Sequence, residues 1–225
     1  MRHEDVETVL MLIVDVVLET ADTTDFTLWP VAALPPYRPL ALSDRMTPDE
    51  VGSAVAALAR HTVGASDDDA PAPDAAALVR RMLAEEQITV DGGLRLHHTG
   101  LGVTVSPGCC CGLADWRDWL GVVADGEVPW LGHDPTPRVE LTDGTVRLWP
   151  DGGFAAEPPP TRPVGIPVAE LPGILRSARD DLRSFIGLVE RWAARHVPAL
   201  AEELTARLDT DLAVGAPLPG EPVGA

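Results

Sequence analysis

The chain contains no lysine. Its 17 basic residues are all arginine, set against 35 aspartates and glutamates for a formal net charge of -18. A surface of that sign repels nucleic-acid phosphates and anionic lipid, which excludes non-specific attachment to either. The expected partner is therefore another protein, a basic one in particular, with no nucleic acid and no membrane involved. Arginine without lysine, beside abundant Ala, Gly, Pro and Asp, is also the habit of a GC-rich genome, so the acidity has a compositional explanation as well as a functional one.

Long apolar runs are missing too: nothing approaches the ~20 residues that a bilayer crossing requires. The stretch from Val9 to Leu18 is interrupted by Asp15 and follows Glu4, Asp5 and Glu7, where a secretory leader would carry basic residues. It reads as core. A glycine-rich phosphate loop, a Gly-x-Ser-x-Gly elbow, a His-Glu-x-x-His pair and any repeat of solenoid period are likewise absent, which removes the enzyme classes and the repeat architectures that those patterns announce. Cysteine occurs only at Cys109, Cys110 and Cys111. Three adjacent cysteines cannot form the paired framework of a secreted domain, so a reducing cytoplasm is the expected compartment.

What is present suits an ordinary core, with 45% apolar residues in 225. Val6, Val9, Leu10, Ile13, Val16 and Val17 fit a helix over residues 5–19, while the β-branched content leaves a strand open. Phe26 to Pro30 reads as an edge strand. Thr47-Pro48-Asp49-Glu50 starts a helix running to His61, and Asp74 caps another reaching Glu86. Residues 88–96 are expected to form a hairpin turning at Asp91-Gly92-Gly93, with a further strand at residues 101–105 and a short helix from Leu113 to Gly121. A second hairpin turns at Asp143-Gly144. Leu171, Leu175, Ala178, Leu182, Phe185 and Trp192 mark a long amphipathic helix, and Pro198 opens its partner. The fold class is therefore α+β: a single domain over residues 1–214, with an antiparallel sheet of hairpins packed against helices and a C-terminal helical pair. A flexible loop is expected near residues 64–74 and a disordered tail over 215–225.

Chemistry concentrates at Ser106-Pro107-Gly108-Cys109-Cys110-Cys111-Gly112-Leu113 and the Asp115-Trp116-Arg117-Asp118-Trp119 that follows. The favoured reading is packing, in which three small apolar side chains let the tryptophan helix approach the sheet. A zinc site would instead use Cys109, Cys110 and Cys111 with His97, His98 or His133. A nucleophilic thiol would be Cys110 or Cys111, with His133 as base and Asp134 orienting the imidazole. Cys111-Gly112-Leu113, with Gly132-His133 downstream, resembles the NlpC/P60 cysteine peptidases, and that resemblance implies a thiol nucleophile served by a histidine on a later strand. The pattern Pro-Gly-Cys-Cys-Cys-Gly-Leu-x-Asp-Trp-Arg-x-Trp, followed by Pro129-Trp130-Leu131-Gly132-His133-Asp134-Pro135, resembles a signature of small uncharacterised actinobacterial proteins and implies no particular activity.

Together these features point first to a non-enzymatic acidic binding protein of the immunity or toxin-neutralising kind, needing no cofactor. Its contact residues would be Asp115, Trp116, Asp118, Trp119 and Trp130, since aromatic anchors supply binding energy while charges steer encounter. A cysteine-dependent hydrolase or transferase is the alternative, and a zinc-binding accessory protein the third.

Overall fold

Valine and isoleucine decide the first element. A computed structural model describes residues 12–64, 72–155 and 157–219, and in it Leu12–Glu19 is a strand, β1, where a helix also fitted the apolar spacing. Alternation sends Val16 and Leu18 into the main core, while Asp15 on the opposite face pairs with Arg95 of the neighbouring strand at 2.7 Å. A helix would have spread the same β-branched residues over most of its circumference, at a cost in side-chain freedom.

β1 lies between β2 (Pro39–Ala41) and β3 (Gly92–His98), and β4 (Val103–Val105) completes an antiparallel sheet in the order β2-β1-β3-β4. The hairpin expected at Asp91-Gly92-Gly93 does not form, because the two glycines belong to β3 and pair with Leu18 and Val17. A Cβ on Gly92 would lie 2.4 Å from the Val17 carbonyl oxygen. Glycine here serves close backbone approach, not a turn. Phe26 to Pro30 is not a strand either: Phe26 packs edge-to-face on Trp29 at 4.6 Å, and the Trp29 indole N–H donates to the Gly52 carbonyl at 2.8 Å.

The helix starts behave as their caps dictate. Thr47 and Glu50 close a capping box at the head of α1 (Pro48–Gly64), and Asp74 accepts from the Ala77 N–H at 2.8 Å to open α2 (Ala75–Ala84). A 3-10 turn over Leu113–Arg117 leads into α3 (Trp119–Ala124). β5 (Arg138–Thr142), β6 (Thr145–Trp149) and β7 (Val164–Pro167) form a second antiparallel sheet, whose first turn places Asp143 and Gly144 at φ 51° and 71°. Both angles are those of a type I′ hairpin.

The helical pair is α4 (Leu171–His196) and α5 (Ala201–Asp211). Leu171, Leu175, Ala178, Leu182, Phe185, Val189 and Trp192 form the buried stripe of α4, which packs against α1, β1 and α5. The architecture is a single α+β domain around one shared core. Residues 65–71 of the expected loop and 220–225 of the expected tail lie outside the described residues. Gly215–Pro219 depart from the expectation: Leu218 is buried, and the Arg117 guanidinium donates to the carbonyls of Ala213, Ala216 and Pro217. Those carbonyls have no helix or sheet to satisfy them, and the arginine does so. Among the described residues, no helix is long and apolar enough to cross a membrane.

Candidate functional site

Two glycines bring the cysteine segment against the histidine segment. A Cβ on Gly108 would stand 2.1 Å from the Pro135 carbonyl oxygen and 2.4 Å from that of His133, and one on Gly132, at φ 86°, would stand 2.5 Å from the Cys109 carbonyl oxygen. Only hydrogen atoms fit there, so the backbones close into an antiparallel bridge. The Cys109 N–H donates to the His133 carbonyl at 2.6 Å, and the His133 N–H donates back at 3.1 Å. On its other side the same loop pairs with the run leading into β3, where the Gly92 N–H donates to the Cys111 carbonyl and the Leu113 N–H to that of Val90, each at 2.8 Å. The loop is thus held from both flanks.

Cys110 adopts φ 65°, in the left-handed region that costs a side-chain-bearing residue roughly 1–2 kcal/mol. Its sulfur lies 3.3 Å from that of Cys109. The ligand atoms of Cys109, Cys110 and His133 all fall within 4.8 Å of one another. The Asp134 carboxylate reaches His133 Nδ1 at 3.3 Å, an arrangement that would fix the tautomer and leave the lone pair on Nε2. Cys110 and Asp134 are exposed while Cys109 and His133 are half-buried, so the cluster opens to solvent.

The surrounding field is negative. The Cys109 thiol is pushed up to about 11, first by its hydrogen bond with Cys110, then by burial and by charge on Cys110, Asp91 and Glu19. Burial, with Asp115, Asp118 and Asp91 adding to it, pushes Cys111 up to about 12. Both are protonated thiols at neutral pH, and a protonated thiol is a poor nucleophile.

Cys111 also stands apart from the histidine. It is buried, its sulfur 3.9 Å from the Trp130 carbonyl and set against Gly93, so packing describes Cys111 alone among the three. His97 and His98 are likewise not brought to the cluster. His97 Nδ1 meets Thr104 Oγ1 across the β3–β4 pair at 2.8 Å, and His98 Nδ1 accepts from the Leu101 N–H at the turn.

The expected contact surface is rearranged as well. Trp116 and Trp119 are 0% and 1% exposed, buried in the core. Neither can reach a partner without opening the domain. Asp115 accepts from the Gly112 N–H at 2.7 Å, a local cap, while Asp118 is exposed. Trp130 alone of the predicted anchors is open, at 52% exposure, and it borders a shallow groove of about 390 Å³ with Val128, Arg138 and Glu140.

No protein-family model, curated protein or solved structure matches the chain. The site is therefore read from its own geometry. Sequence reasoning named Cys109, Cys110 and His133 among its candidates, but missed Gly108 and Gly132 as the residues that assemble them, and Glu19 and Asp91 as the charges nearby. The glycine signal was available in Pro107-Gly108-Cys109 and Leu131-Gly132-His133, where a glycine stands directly before Cys109 and before His133.

Proposed function

We propose that this chain is a metal-binding protein that takes up a thiophilic cation, Zn(II) or Cu(I), through Cys109, Cys110 and His133. The observation that carries this reading is the convergence of two sulfurs and one imidazole within 4.8 Å at a solvent-open site. Thiolate and imidazole donors select these ions over Mg or Ca. At Zn–S and Zn–N distances of roughly 2.3 and 2.0 Å, three donors spaced this closely can surround one ion. The raised Cys109 thiol is no obstacle to a metal that displaces the proton, and the nearby carboxylates favour a cation over an anion. Three protein donors leave a tetrahedral ion one position for water or a donor from another molecule. That is the arrangement expected of a protein that stores or hands over its ion, in keeping with an accessory role.

The test is elemental analysis of the full chain after expression without added metal, followed by Zn(II) and Cu(I) titration against a competing chelator. One equivalent per chain is expected, with a sulfur-to-metal charge-transfer band on substitution by Co(II), and loss of both in Cys110→Ser and His133→Ala. Undiminished uptake in the Cys109→Ser, Cys110→Ser double variant would overturn the assignment.

A second reading has the exposed Trp130 in its favour: the acidic surface engages a basic protein, as an immunity-type module would. Its anchors would be Trp130 and the acids around it, not Trp116 and Trp119. Association that slows as salt rises from 0.1 M, together with weaker capture by Trp130→Ala, would support it.

A further inference from the structure

The C-terminal end of α4 and the start of α1 border a half-open cavity of about 150 Å³ lined by Met46, Pro48, Val51, Leu188, Trp192 and three basic residues, Arg191, Arg195 and His196. We infer that this cavity binds a small organic carboxylate with a single apolar ring or branched body. Apolar cavities of this size accept a molecule as large as benzene. Met46, Pro48, Val51 and Leu188 supply the walls for such a body.

The polar side of the lining specifies the charge. In a chain of formal charge -18, every ionisable residue lining this cavity is basic. Arg191 and Arg195 stand one helical turn apart on α4, both exposed, and neither belongs to an ion pair among the described residues. That i, i+4 spacing places two guanidinium groups where one carboxylate can meet both. Trp192, 5% exposed, has a buried indole N–H with no acceptor among the described residues. That N–H lies beneath the cavity lining, so the indole contributes its ring to the wall and serves as a reporter of what enters. His196 packs on the Trp192 ring at 5.2 Å, and burial with the adjacent Arg195 keeps its pKa low, so its neutral ring adds a hydrogen-bonding edge without a third fixed charge. An inorganic anion would satisfy the arginines and leave the apolar walls empty. A neutral ring would fill the walls and leave the arginines bare.

The experiment is an NMR titration of the full chain with benzoate, followed at the Trp192 indole N–H, with benzyl alcohol and inorganic phosphate as controls. A saturable shift of that resonance with benzoate is expected at millimolar concentration or below, with at least tenfold weaker response to either control. Arg191→Gln and Arg195→Gln alter exposed side chains and should leave the fold intact while weakening benzoate at least tenfold. Equal binding of benzyl alcohol would overturn the anionic requirement, equal binding of phosphate the organic one, and the absence of any saturable shift the whole inference. None of these outcomes depends on the cysteine cluster.

Discussion

The indole N–H of Trp116 donates to the carbonyl of Leu212 at 3.0 Å, joining residues that lie 96 positions apart. Arg117 beside it holds the carbonyls of Ala213, Ala216 and Pro217. The tryptophan-rich turn therefore fastens the C-terminal segment to the domain. Trp116→Phe removes the donor and leaves a buried carbonyl unsatisfied, and should lower the unfolding free energy by about 1–3 kcal/mol in urea. An anchor reserved for a partner would show no such loss in the isolated chain.

The glycine contact predicts a different failure. Gly132→Ala places a Cβ against the Cys109 carbonyl at a positive φ, and should cost on the order of 1–3 kcal/mol in strain. Because the strain falls on the bridge itself, metal uptake should fall by more than global stability does. A variant that binds metal as tightly as the parent would show that the bridge does not assemble the site.

Alkaline pH should reveal Cys111 by difference. Its folded thiol holds its proton to about pH 12 against an ordinary value of 9.0, so between those limits the folded state binds more protons than the unfolded one. Stability must then fall as pH rises through that window, by at most about 1.4 kcal/mol per unit, and should be unaffected by this group below it. Cys111→Ala removes this group's share of the slope and leaves that of Cys109, whose thiol is raised to about 11. Urea unfolding of both proteins, with the other titrating groups common to each, isolates the difference.

Metal uptake should carry the opposite dependence. Cys109 must surrender its proton to bind, and its raised pKa of about 11 keeps that proton in place throughout the neutral range. The logarithm of the affinity should therefore climb by at least about one per pH unit from near pH 7 to 9, once the chelator's own titration is removed. A flat profile would mean that this thiol is not a ligand.

Much of the fold was legible because its signals are local. Thr47 with Glu50, Asp74, Asp143 with Gly144 and the three-and-four spacing from Leu171 to Trp192 each act within a few residues of where they stand. Val16, Val17 and Gly92 misled for the complementary reason. Whether a valine run is helix or strand, and whether two glycines turn a chain or let another pass, depends on what lies opposite, and β1 meets β3 more than seventy residues on. The candidate site follows the same division. His133 drew notice through Asp134 and Trp130 beside it, but its pairing with Cys109 and Cys110, and not with Cys111, rests on a left-handed residue at 110 and on backbone contact between distant glycines. No periodicity encodes either.

Both margins of the four-stranded sheet are three-residue strands, β2 and β4, and β2 opens on Pro39, which has no N–H to offer. A neighbouring chain laid along either margin would find too few free backbone groups to extend the sheet, and the formal charge of -18 would oppose its approach. This sheet should accordingly resist the self-templated growth that longer bare margins invite, which leaves the five-residue β5 at the margin of the second sheet as the longer template.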